Sequence, residues 1–459
     1  MTSLTMLVAL GPTSQAEPAP VDSADDGAAV TQAAKKAPAK YSPKAGTIFN
    51  NPKGSNAKAE RINDSLDRAI DAAPKGSTIY MAMYLFNVDT TANKLIAAFR
   101  RGVNVKIIID DGEGRRDMRR IRTVLGRNKT DGSFVKRCRR ACMSNKTSVM
   151  HSKFYLFSQS GNARYVSMVG SANPYRGNIY ASWNDNHTIV GNRTIYNSLV
   201  KYFNDLMKDK TNPNYYRSAG GGKYKLYFFP RKRGVFVLDV LRSVRCKGVR
   251  KGSGRNGRTV IRVAQWGWTA PRADIARRLS QLQGQGCKVE VLINKARTSK
   301  KVFAPLLRNT KYGKVKIYDG WYDGNNNGVA SQYVHHKVLA ISGRVLGSRG
   351  TKVVYTGSQN YTEEGNRVND EMVLRIWDRS TYNAYVQNLN YIRKHGTKGR
   401  ITSIPRYIGN SAPVISPNGE LEHVPGQGGV EPGEEGAPTP MIDDDGFQRP
   451  AGGDVDFDG

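Results

Sequence analysis

The 459-residue sequence predicts an α/β protein of two tandem lobes, each an α/β/α unit around a mixed, mainly parallel sheet, related by a pseudo-twofold axis. Three observations carry that expectation. Apolar runs of strand length alternate with stretches of helical periodicity, the arrangement of a sheet covered on both faces. The order of these segments occurs twice. Landmarks of the two occurrences keep offsets of 184 to 186 residues, the mark of an internal duplication.

Residues 1–16 open with an apolar stretch, Leu4 to Leu10, and a small-residue site ending at Ala16, like the later part of a secretory signal peptide. No Lys or Arg precedes Lys35, so this segment reads as a truncated signal. Residues 17–44, rich in Ala, Pro, Asp and Lys, read as a linker.

The first lobe is expected over residues 45–215. Ile62, Leu66 and Ile70 form one helical stripe, "STIYMAMYLF" is a buried strand, "TANKLIAAFRRG" a helix and "VNVKIIID" a strand. "RRDMRRIRTVLGR" places Met118, Ile121 and Leu125 on one side of an amphipathic helix whose other face is cationic. "MHSKFYLF" reads as a strand and "TIYNSLVKYFNDL" as the closing helix.

The second lobe is expected over residues 216–404. After the helix "GVFVLDVLRSVR" come the strand "RTVIRVAQWGW", the helix "RADIARRLSQLQGQG", the strand "CKVEVLIN" and the closing helix "STYNAYVQNLNYI". Gly102 and Gly286 precede corresponding strands 184 residues apart, and Tyr196 and Tyr382 correspond at an offset of 186. "GSGRNG", residues 252–257, has the form of a dinucleotide fingerprint. It precedes a strand instead of opening a helix, and so reads as a loop. Residues 405–459, with eight prolines and few large apolar side chains, read as a disordered tail.

The net charge of +33 favours an anionic partner. Residues 411–459 carry eleven acidic side chains and one arginine, which leaves +43 on residues 1–410. No stretch approaches a membrane span. Four cysteines fall into a local pair, Cys138–Cys142, and a distant pair, Cys246–Cys287, as two disulfides of an exported protein would. A zinc site at Cys138-x3-Cys142 is disfavoured by its cationic flanks and the lack of a neighbouring His.

The duplication repeats chemistry as well as fold. His151 and Lys153 stand two apart, and so do His335 and Lys337 in "YVHHKVLAIS", 184 residues later. Gly170-Ser171-x-Asn173 follows the first pair and Gly357-Ser358-x-Asn360 the second. Only six histidines are present, so two such arrangements in register argue against isolated surface groups and chance turns. On these residues the chain resembles the phospholipase D superfamily over roughly residues 45–400, with its doubled His-x-Lys-x4-Asp and Gly-Ser-x-Asn motif.

The resemblance implies one active site built from both copies in a monomer. His151 and His335 are then the catalytic pair. Lys153, Lys337, Asn173 and Asn360 are phosphate ligands, with Ser171 and Ser358 beside the phosphate. One imidazole attacks phosphorus and the other protonates the leaving oxygen, with no metal or cofactor implied.

Two departures stand out. Ser158 and Ser342 occupy the motif's Asp positions. The carboxylate that orients each histidine is expected at Glu371 for His335, whereas Asn186, with Asp185 beside it, is matched to His151. A carboxylate partner favours imidazolium, so this pairing makes His335 the acid and His151 the nucleophile.

Family chemistry serves several substrates. Trp266, Trp268, Trp321 and Tyr322, expected on rim loops, suit a lipid interface and point to a secreted phospholipase D that hydrolyses the distal phosphodiester bond or transfers the phosphatidyl group. The cationic body suits a nuclease acting on DNA or RNA. The missing motif aspartates leave a third reading, a non-catalytic phosphate-binding or lipid-binding relative.

Overall fold

"STIYMAMYLF" forms its strand over Thr78–Met83, and its alternation decides what each face buries. Ile79, Met81 and Met83 turn to one side, Tyr80 and Ala82 to the other. The computed structural model describes residues 41–110, 116–138, 140–144, 148–324 and 330–405. The signal-peptide reading of residues 1–16 and the tail beyond Pro405 lie outside the described residues.

In the first lobe, Thr78–Met83, Asn104–Asp110 and Phe134–Cys138 pair in parallel. Beyond Thr78–Met83 the sheet continues antiparallel through Phe154–Ser160, Ala163–Gly170, Asp185–Ile189 and Gly46–Phe49. The second lobe repeats this arrangement. Val260–Gln265, Lys288–Ile293 and Lys316–Asp319 are parallel; Lys337–Val345, Ser348–Gly357 and Met372–Trp377 follow antiparallel. The mixed α/β character is as expected, but parallel pairing is confined to three strands per lobe and antiparallel ladders predominate. In each lobe one tight hairpin, Ser160 to Ala163 and Val345 to Ser348, sets an antiparallel pair, and the next strand returns antiparallel after a longer connection that holds a short helix.

The outer face of the first sheet is covered by helices Arg61–Asp71, Asp89–Arg100 and Arg116–Leu125, which bury Leu66, Ile70, Leu95, Met118, Ile121 and Leu125. Helices Phe236–Arg242, Ala273–Gly284 and Lys300–Leu306 do the same for the second. The closing helices lie on the inner faces. Arg193–Met207 buries Leu199, Tyr202 and Phe203 together with Leu226, Phe228 and Leu374 of the other lobe. Arg379–His395 packs Tyr385 against Phe49 of the first lobe, ring centroids 5.0 Å apart. Both lobes fall in one compact unit. Among the described residues no helix is long and apolar enough to cross a membrane.

Cys138–Cys142 and Cys246–Cys287 are disulfide-bonded, with Cα separations of 4.9 and 4.6 Å. "GSGRNG" is a loop with Gly252, Gly254 and Gly257 at positive φ. The four expected rim aromatics are not on the rim. Trp266, Trp268 and Trp321 are buried, and Tyr322 is half-buried under the ammonium of Lys53, 3.7 Å from its ring centroid. The apolar area of the three tryptophans is used inside the fold, and Tyr322 keeps only part of its surface open.

Candidate active site

Parallel strands end where their following loops diverge, and the motif histidines arrive at that end. His151 and Lys153 stand just before the strand Phe154–Ser160, so regular pairing starts later than the sequence suggests. Asp110, at the end of its strand, accepts the Met150 N–H at 2.8 Å. Asn294, the corresponding residue 184 positions on, accepts the Val334 N–H at 3.1 Å. Each histidine is thus presented by a strand-end side chain that fixes the residue before it.

The lobes then exchange backbone. Met150 bridges in parallel to Asp370 and the His151 N–H donates to the Asp370 carbonyl at 3.1 Å. Reciprocally, Gln332–Val334 pairs in parallel with Ser182–Trp183 and the His335 N–H donates to the Trp183 carbonyl at 3.0 Å. Side chains follow the backbone across. Glu371 Oε1 accepts from Nδ1 of His151 at 2.8 Å, and Asn184 Oδ1 lies 2.7 Å from Nδ1 of His335.

This pairing corrects the sequence expectation twice. Glu371 serves His151, not His335, because each copy supplies the partner of the other copy's histidine. The residue matching Glu371 is Asn184 and not Asn186: Ser358 donates to Glu371 thirteen residues later, and Ser171 donates to Asn184 thirteen residues later, at 2.9 Å. That equal spacing was the available signal. Asn186 is buried, with neither amide atom hydrogen-bonded among the described residues.

Asp185 also moves out of the expected role. Its Oδ1 accepts from Nδ1 of His336 at 2.7 Å and its Oδ2 from Thr356 and Tyr385, and His151 is not among these partners. Burial pushes the Asp185 carboxyl up, but His336, Thr356 and Tyr385 together outweigh it and hold it below the usual carboxylate range. Asp185 and His336 therefore tie the two lobes together beside His335. Beside Glu371, burial drives the Asp370 carboxyl well above the usual range, with Asp110 and Glu371 adding to the effect.

Ser171 and Ser358 are buried donors to Asn184 and Glu371, so they position the histidine partners instead of lying open beside a phosphate. Lys153 donates to the His151 carbonyl at 2.7 Å, and Lys337 Nζ stands 2.9 Å from Nε2 of His335. Both ammonium groups are buried and adjoin their histidines, where a phosphate oxygen can take their donors. Asn173 Oδ1 accepts the N–H groups of Tyr84 and Leu85, each at 3.2 Å, while its Nδ2 donates to Asn178 at 3.0 Å. Asn360 lies against Gly267, where an added Cβ would meet its Cγ at 3.8 Å.

Two aromatic walls were not anticipated. Tyr84 lies 5.3 Å from the His151 ring and Trp266 lies 5.7 Å from the His335 ring, both measured between centroids. The serines at the motif Asp positions lie at the opposite ends of their strands. Ser158 Oγ accepts the Thr78 N–H at 2.8 Å and Ser342 Oγ accepts the Gly254 N–H at 2.9 Å. A hydroxyl suffices to cap a backbone amide, so the departure from aspartate leaves the site's charge untouched.

The chain matches the family model described as "Cardiolipin synthase, PLD-like domain" over residues 66–207 and again over 256–393. No curated protein matches it. Among solved structures, polyphosphate kinase from Porphyromonas gingivalis aligns with a TM-score of 0.48 at 11% identity, over 76% of this chain and 50% of that one. Phosphatidylserine synthase of Haemophilus influenzae Rd KW20 aligns with a TM-score of 0.49 at 13% identity, over 79% of this chain and 90% of that one. Nuc from Salmonella typhimurium, a phospholipase D family member, aligns at 0.27 and 19% identity, over 39% of this chain and 98% of that one.

Proposed function

The chain belongs to the phospholipase D-like family of phosphodiester-acting enzymes, and on that premise we propose that it cleaves the distal phosphodiester bond of glycerophospholipids through a phosphohistidine, outside the cell that makes it. The observation that carries the chemistry is the unequal pairing of the two imidazoles, carboxylate for His151 and amide for His335.

A nucleophilic imidazole becomes cationic as it bonds to phosphorus. Glu371 stabilises that charge, as the carboxylate of a catalytic triad stabilises its imidazolium. With the partners exchanged, the expectation that a carboxylate marks the acid no longer places His335 in that role; the charge gained on attack assigns the roles instead, and a neutral amide partner lets the acid give up its proton near the working pH. His151 therefore attacks through Nε2: the Nε2–P bond forms, the P–O bond to the headgroup alcohol breaks, and His335 delivers its Nε2 proton to the departing oxygen. In the second step His335 takes a proton from water, the hydroxyl adds to phosphorus and the Nε2–P bond breaks, leaving phosphatidate. An alcohol in place of water gives phosphatidyl transfer. Lys153, Lys337 and Asn360 neutralise or hydrogen-bond the phosphoryl oxygens, while Asn173 holds the Tyr84–Leu85 backbone of the same wall.

The description of the matching family model supports a phospholipid substrate. A second reading, cleavage of nucleic acid, is favoured by the charge of +43 on residues 1–410 and by the burial of the tryptophans expected at a lipid interface. Incubation with phosphatidylcholine, phosphatidylglycerol and single-stranded DNA, each with and without chelator, decides between them. Phosphatidate release that persists with chelator is expected; DNA cleavage without lipid cleavage overturns the lipid assignment.

A further inference from the structure

The end of the second lobe opposite the imidazoles is built from residues 242–258, 308–316 and 342–352. Together these connections contain fourteen basic side chains and no acidic one. They are stitched to each other through backbone. The Arg245 N–H donates to the Arg344 carbonyl at 2.9 Å, and the Arg250 N–H to the Arg349 carbonyl at 2.8 Å. Like charges are thereby held close: a Cβ built on Gly248 would meet guanidinium nitrogens of both Arg344 and Arg349, at 3.6 and 3.8 Å. Burial lowers the Arg278 guanidinium pKa, and the neighbouring Arg245 and Arg242 lower it further.

This end is out of reach of a small phosphodiester held at the imidazoles. The strand that starts at Lys337 runs nine residues to the tip at Val345, a span of about 25 Å. It does lie beside the last described strand. The short strand Arg400–Ile401 pairs antiparallel with Lys316–Asp319, Tyr318 opposite Arg400 and Ile317 opposite Ile401. Its direction therefore carries residues 402–405 toward Lys316 and the basic end. Residues 406–459 follow, and within them 411–459 hold eleven carboxylates and one arginine. Five interstrand steps separate Arg400–Ile401 from the far strand of the hairpin, about 24 Å, and a chain of this length reaches about 40 Å even as a random coil.

We propose that residues 411–459 dock on this basic end of their own chain and exclude external polyanions from it. Tethering at the edge of the patch gives the acidic segment an effective concentration of about millimolar, so individually weak ion pairs suffice. The attraction is between exposed groups and falls as the Debye length shrinks with salt. None of this depends on which phosphodiester is cleaved.

Zero-length carbodiimide cross-linking of the full chain tests the proposal, using an equimolar mixture of unlabelled and nitrogen-15-labelled protein to separate intrachain from interchain links. Links from Asp443, Asp444 and Asp445 to Lys247, Lys251, Lys314 and Lys316 are expected within one chain, and should be lost at about 0.5 M salt. Links spread equally to Lys58 and Lys129 of the first lobe, or formed mainly between chains, overturn it. As a second measurement, the full-length variant with all eleven tail carboxylates changed to amides should bind a single-stranded oligonucleotide at least tenfold more tightly than the parent. Unchanged affinity overturns the exclusion.

Discussion

Replacing Glu371 by Gln keeps the shape and an acceptor for Nδ1 of His151, turns the atom facing Ser358 into an NH2 that donates to the hydroxyl, and removes the charge. The pair is 2.8 Å apart and both side chains are buried. If the positive charge gained on attack is centred in the ring about 4 Å from the carboxylate, an effective dielectric near 20 gives about 4 kcal/mol of stabilisation. At 1.36 kcal/mol per tenfold, the expected loss in kcat/KM is about 10³-fold, within a range of about 10²–10⁴. The assay is the initial rate on a chromogenic phosphodiester across pH, with thermal unfolding to confirm that the variant is folded. Phosphoenzyme should accumulate less in Glu371→Gln. The reciprocal variant, Asn184→Asp, gives His335 a carboxylate and should move the alkaline limb of the pH–rate profile upward, because the acid keeps its proton longer. A folded Glu371→Gln enzyme retaining a third or more of its activity refutes the assignment of Glu371 as the stabiliser of the attacking imidazole.

His151→Ala and His335→Ala should each abolish turnover, by at least the roughly 10²–10⁴-fold typical of a lost acid or base. Rapid quenching and digestion should put the phosphoryl label on the peptide containing "MHSK", and label only on "VHHK" reverses the roles. His187 is buried between Thr47 and Tyr224, and burial, with Lys223 adding, pushes it down to about 4. Between its ordinary value of 6.5 and about 4 the unfolded chain binds a proton that the folded chain does not. Stability should therefore fall by up to about 3 kcal/mol as pH drops through that window. His187→Gln should flatten this slope in denaturant titrations, and an unchanged slope counts against the reading. Changing both Cys246 and Cys287 to Ser opens a link between residues 41 apart and should cost up to about 4 kcal/mol by chain entropy. Peptide mapping that finds either thiol free in the parent removes the basis for that loss.

Much of the architecture was legible because burial imposes period on sequence. The stripe Ile62, Leu66, Ile70 and the positions Met118, Ile121, Leu125 face the core they were expected to face. The repeat was legible because landmarks with fixed spacing survive divergence. Strand direction was not, since alternation of apolar residues records which face is buried and not the sense of the neighbour. The tryptophans misled for a related reason: an aromatic beside glycine reads the same in a core bend and on a rim. The histidine partners were missed because they belong to the opposite copy. Lists of residues along one lobe cannot show that a strand end from the other crosses over, although the equal spacing from Ser171 to Asn184 and from Ser358 to Glu371 was there to be measured.

The reciprocal crossing of Met150 to Asp370 and of Val334 to Trp183 has a genetic consequence. Were the two lobes separate and identical chains, one codon would specify the partner of both imidazoles, and any change would alter both at once. Joining the copies in one chain gives each position its own codon. Glutamate at one and asparagine at the other then become heritable separately, and the two histidines can specialise as attacker and proton donor.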